Sequence, residues 1–413
     1  MQTSRRSPRV EEAAPTSSLA NAAASRYRWA VLGVSVVAQA AFFGAVFQGL
    51  PALGPALRSA YDLGLGQLGL VLSSITAGVL GTLLLWGAAT DRFGERRTMA
   101  AGLLGAAVAL LVASRSPGVF GLAAALFAAG ACGASVNVAS GRAVMGWFAP
   151  AERGFAMGIR QTALPLGAGL AALVLPALAS ASDVGGALIF LAASCALAAG
   201  AVAGWVREPA GSPAGGASEN TGRSPVRDRR VWRVALAGAL LAIPQFGVMA
   251  FLVVFLHEEL GYATGVAAGF FAVVQLLGGV GRVLAGRFSD AWRRRIGPLR
   301  GLGLGMATGL AAAAALIDAP VWVLLPVLLA ASVLAMSWNG LAFTAVAEFA
   351  GKERSGTALG LYNTVMGPGA IAAPPAFAAL VTLTSSWAIG FLAVAACSFL
   401  AVFVLAPLAH EEL

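Results

Sequence analysis

"GAATDRFGERR" (residues 87–97) sets five charged side chains, Asp91, Arg92, Glu95, Arg96 and Arg97, into a chain that is 59% hydrophobic. A cousin, "GRFSDAWRRR" (residues 286–295), appears in the second half: again glycine, then three residues, then aspartate, then clustered arginines. The chain repeats itself, and the spacing of the repeat decides how the rest is read.

The surroundings of the two loops set the class. Soluble chains carry about 25% charged residues, and this one carries 11%. No Asp, Glu, Lys, Arg or His interrupts residues 29–57, 63–90, 116–141, 161–182, 184–206, 234–256, 260–281 or 319–347. A hydrocarbon core about 30 Å thick needs about 20 apolar helical residues, so each of these runs spans it. Residues 98–114 and 301–317 are shorter but sit beside arginines able to snorkel. The charge-free stretch 355–409 holds two more spans, broken at "TLTSSW" (residues 382–387). Twelve spans result. They are helices, because they are far longer than barrel strands and show no polar–apolar alternation. The 52 glycines fit close helix packing in lipid. The first 25 residues are polar and basic, so no cleavable signal peptide is expected.

Basic residues in short loops favour the cytoplasmic side. With the N-terminus inside, only Arg58 and Arg115 of 27 basic residues fall in outer loops. Both termini are therefore expected in the cytoplasm of a bacterial cell, with the chain multi-pass in its inner membrane. The net charge of +9 is then topology and not a nucleic-acid footprint, since no basic stretch is interleaved with stacking aromatics.

Residues 207–232 are rich in Gly, Pro and Ser before turning basic, and read as a cytoplasmic linker. They divide the chain into a tail (1–26), a six-helix bundle (27–206), a second six-helix bundle (233–408) and a short tail (409–413). "ERGFAMGIRQT" (152–162) is echoed by "ERSGTALGLYNT" (353–364), as duplication predicts.

On these residues the chain resembles the major facilitator superfamily of secondary transporters. Gly87, Asp91, Arg92, Gly94, Arg96 and Arg97 match its signature loop, while the second copy keeps Gly286 and Asp290 but has Ala291 and Trp292 where the pattern differs. The resemblance implies an all-α membrane protein of two pseudo-symmetric six-helix bundles, working as a monomer. It also implies that Asp91 latches one conformation by meeting the start of the eleventh helix near Ser355 and Gly356. The charge itself suits that task, since a carboxylate pairs with nearby arginines and favours a helix N-terminus.

Polar side chains in hydrocarbon are costly unless they face a cavity or a partner. Sorted by span, they avoid the third, sixth, ninth and twelfth, which are expected outside. The first span has Gln39; the fourth Asn137 and Arg142; the fifth Arg160 and Gln161. The seventh has Gln245; the eighth Gln275 and Arg282; the tenth Trp338 and Asn339; the eleventh Tyr362 and Asn363. Gln39, Asn137, Arg160, Gln161, Gln245, Gln275, Arg282, Asn339, Tyr362 and Asn363 are the candidate substrate contacts. Arg142, nearer a span end, has the option of snorkelling.

No acidic residue lies in the middle of a span. Arg160 and Arg282 therefore invite an anion, whose carboxylate a guanidinium fork holds at two points. Pairing with backbone carbonyls, asparagines or Glu348 is the structural alternative. "GRVLAG" (281–286) also resembles the eighth helix of monocarboxylate transporters, and residues 147–167 resemble the cyanate-transporter branch. A small organic anion is expected as substrate; a multidrug or metabolite exporter is the rival. His257 and His410 lie at span ends, so a proton partner would have to arrive on the substrate or through Glu348, and plain facilitation stays open. Cys132, Cys195 and Cys397 stand singly on different spans, giving no metal site, disulfide framework or cofactor, and no enzyme chemistry is expected.

Overall fold

A computed structural model describes residues 16–148, 152–207, 225–292, 294–350 and 355–410. Residues 1–15 and 411–413, most of the linker, residues 149–151 and 293, and the residues immediately before the eleventh helix lie outside this set. The first bundle contains α1 (Thr16–Gln39, continued by a π-helical stretch Ala40–Gln48), α2 (Leu65–Phe93), α3 (Glu95–Ala113), α4 (Val119–Trp147), α5 (Arg153–Ala181) and α6 (Val184–Trp205). The second contains α7 (Arg229–Val254, continued by Phe255–Glu259), α8 (Thr264–Trp292), α9 (Ile296–Ala315), α10 (Val321–Ser337 and Asn339–Ala350), α11 (Ser355–Thr384) and α12 (Trp387–Leu405). Eleven of these are long and apolar enough to cross a membrane. The twelfth, α9, has 20 residues and carries Arg300 near its start.

The turns follow from local chemistry. Gly94 joins α2 to α3 with φ 81°, a left-handed conformation that side chains resist, which accounts for the glycine in the signature loop. Asp183 opens α6 by accepting from Gly186 N at 2.6 Å, and Ser386 opens α12 by accepting from Ile389 N at 3.4 Å. The break expected at residues 382–387 falls between Thr384 and Trp387.

Packing repeats between the halves. In the first, α2 lies on α4, α1 on α5 and α3 on α6; in the second, α8 lies on α10, α7 on α11 and α9 on α12. The helices with polar-poor interiors thus pair with each other, away from the join. Across the halves α2 meets α11, and α5 meets α8. Small residues permit the approach: a Cβ on Gly69 of α2 would stand 2.9 Å from the Cα of Pro375 on α11. Many large side chains on the outside are exposed, among them Leu84, Phe120, Leu197, Trp322 and Leu383, as lipid-facing surface requires.

Candidate functional site

The site is assembled where the two halves meet. In the first half Gln39 Nε2 donates to Asn137 Oδ1 at 3.3 Å, joining α1 to α4. Arg160 on α5 completes the cluster: Nη1 donates to Ser140 Oγ at 2.8 Å and to Asn137 Oδ1 at 3.4 Å. Its side chain is buried, only 4% exposed, and its described partners are all neutral. A charge held this way is expensive unless something else compensates it.

A matching cluster forms in the second half. Asn339 Nδ2 donates to Gln245 Oε1 at 3.0 Å, joining α10 to α7, and Gln245 Nε2 reaches Met336 Sδ at 3.6 Å. α10 breaks at Trp338, between its two helical pieces. Arg282 on α8 attends that break, donating from Nε to the Met336 carbonyl at 2.6 Å. This is its one hydrogen bond among the described residues. Glu348, weighed as a partner for Arg282, pairs instead with Arg295 at 2.9 Å.

A cavity lies at the join, lined by residues of both halves, and the second cluster reaches it through Gln245 and Met336. Phe47 and Phe246, one from each half, meet edge to face in its wall at 6.2 Å between centroids. Gln245 and Gln275 line it together with Gln48, Thr76 and mainly apolar side chains. Gln275 is 1% exposed and its Oε1 has no partner among the described residues. The other candidates are placed differently. Tyr362 is fully buried against Gly238 and Phe343, Asn363 Nδ2 bonds Leu359 O on its own helix, and Gln161 is exposed. Gln48 and Met336 were not among the expected contacts. Gln48 sits at a helix end, and Met336 carries no polarity to flag it.

The two ends of the bundle differ. At one end Arg58 pairs with Glu258 across the halves. At the other, the described ion pairs each stay within a half. Arg142 bridges Asp91 and Glu95 (2.9 Å), so its charge is used in the signature loop. Arg295 bridges Asp290 (2.5 Å) and Glu348. Hydrogen bonding to Glu348 is the main cause holding the Arg295 guanidinium above its ordinary pKa, with Asp290 adding to it and partial burial opposing. Ser355 and Gly356 open α11, and nothing is described of their side chains.

A polytopic bundle of two like halves, with polar clusters and a cavity at their join, is a membrane transporter. The chain belongs to the Major Facilitator Superfamily, whose sequence pattern matches residues 34–374. It is 37% identical over 385 residues to an uncharacterized MFS-type transporter of Mycobacterium tuberculosis, covering 92% of this chain and 86% of that one. It is 27% identical over 370 residues to a probable sulfoacetate transporter of Cupriavidus necator, covering 82% and 84%. Among solved structures, a bacterial homolog of the human lysosomal transporter Spinster has the same fold at a TM-score of 0.76 and 16% identity, covering 92% of this chain and 98% of that one. The nucleoside transporter NupG has it at 0.74 and 14% identity, covering 92% and 99%.

Proposed function

We propose that this transporter moves a small organic anion, carboxylate-like, by alternating access. The observation that carries the reading is Arg282: its Nε is held by the Met336 carbonyl, and its two terminal nitrogens have no described partner. A planar fork left free beside Met336, a residue of the cavity wall, suits a two-point acceptor. The relative named for sulfoacetate, an organic anion, supports the class and not the compound. Access then alternates between the Arg58–Glu258 end and the Asp91 end, where Asp91 latches against the start of α11 in the conformation that closes it. A proton enters, if at all, with the substrate or at Glu348.

The test is binding to the full chain in detergent. Small carboxylates and sulfonates are expected to raise the melting temperature in a concentration-dependent way, as ligands of the folded state do, and to be taken up by proteoliposomes. Stabilisation by lipophilic cations alone would replace this reading with drug or metabolite export.

The cytoplasmic placement of both termini is part of the proposal. Single cysteines at Ser59, Asp183 and Asp318 in a cysteine-free background are expected to react with an impermeant maleimide added outside intact cells. A cysteine at Ser218, which lies outside the described residues, is expected to stay unlabelled until the membrane is opened. Labelling of that position in intact cells would reverse the orientation.

A further inference from the structure

The geometry points to an amphipathic substrate: we infer that the anion is a monocarboxylate with an extended apolar or aromatic body and a hydroxyl at its far end. This rests on the anion reading and narrows it. Arg282 and Gln275 are seven residues apart on α8, so they share a face and stand about 10.5 Å apart along the axis. Met336 connects them. Its carbonyl takes Arg282 Nε, and its side chain lines the cavity beside Gln275. A ligand with a carboxylate on the free Arg282 nitrogens reaches the cavity only if its body extends along this face of α8 toward Gln275 and Met336.

The cavity defines what that body is. None of its lining residues is charged, and Phe47, Leu72, Ile75, Phe246 and Met249 supply much of its wall. A second carboxylate would meet no cation there, and desolvating it would oppose binding. A two-carbon acid held at Arg282 would not reach Gln275, two turns away along α8. Polarity returns at the glutamines. Gln245 has both ends of its amide engaged, by Asn339 and Met336. Gln275 and Gln48 each retain an Oε1 with no partner among the described residues, and Gln275 is almost completely buried. A buried acceptor without a donor is costly. A hydroxyl supplies that donor, and it also accepts from the same amide group.

The experiment is titration calorimetry on the full chain in detergent with acetate, hexanoate, phenylpropionate, its para-hydroxy derivative and sulfoacetate. Each methylene buried is expected to tighten binding about fourfold. The para-hydroxyl is expected to add a further gain of about fivefold. Gln275→Leu should remove the hydroxyl gain and keep the dependence on length, and the wild-type series still decides both points if that variant does not fold. Acetate or sulfoacetate binding as tightly as phenylpropionate, with both lost in Arg282→Gln, would overturn the amphipathic substrate and leave the anion reading standing. Binding by the whole series that Arg282→Gln leaves unchanged would overturn both.

Discussion

Gly78→Leu is expected to leave no folded transporter, while Gly81→Leu three residues away purifies with the wild-type melting temperature or slightly above it. A Cβ at Gly78 would stand 2.1 Å from the Phe127 carbonyl oxygen of α4, and one at Gly130 would stand 2.2 Å from the Ile75 carbonyl oxygen of α2. Those atoms are backbone, so no side chain can swing aside and the helices themselves must part. In lipid there is little hydrophobic force to hold parted helices together, and their association depends on close van der Waals contact. Gly78→Ala is expected to cost about 1–3 kcal/mol, the usual penalty of overpacking. Leucine exceeds what the interface can absorb. Gly81 has nothing within 4 Å of its would-be Cβ, and replacing glycine there gains helix propensity of about 0.5–1 kcal/mol. Gly78→Ala and Gly130→Ala should be less than additive, because each opens the same contact. Size-exclusion profiles and melting curves of the detergent-solubilised protein check the set. A well-folded Gly78→Leu would mean that α2 and α4 are not this close.

The spans were readable in the sequence because hydrocarbon imposes a composition: a run free of charge over some 20 residues has one structural outcome. The inner packing was partly readable for the same reason. Gln39, Asn137 and Arg160 come together, as do Gln245 and Asn339, because polar groups in an apolar medium seek each other. Polarity fails as a guide where a side chain satisfies itself. Asn363 bonds the carbonyl one turn back on its own helix, an outcome open to short polar side chains on helices. Tyr362 is a packing residue with an aromatic body against Gly238. The cavity was hidden for the opposite reason, since most of its wall is apolar and indistinguishable in composition from lipid-facing surface. The break in α10 was also illegible. "AMSWNG" (residues 335–340) contains no proline, and the interruption at Trp338 is stabilised from another helix by Arg282.

That bond gives Arg282 two tasks, and substitutions should separate them. Arg282→Gln is expected to reduce uptake at least about a hundredfold, since losing a charge-assisted partner in a desolvated site costs several kcal/mol. It should also lower the melting temperature moderately, because the Met336 carbonyl at the α10 break loses its donor. Arg282→Lys separates these effects. The ammonium keeps the charge and can donate to the Met336 carbonyl or to a bound anion, but it has no planar fork with which to hold the anion at two points while Nε stays engaged. Lysine should therefore recover much of the stability and little of the uptake. Ligand-induced stabilisation by carboxylates should be weak in both variants. Uptake by Arg282→Lys close to wild type would show that only charge is needed and would undo the two-point geometry. Full uptake per folded molecule in Arg282→Gln would reduce Arg282 to a brace for the break in α10.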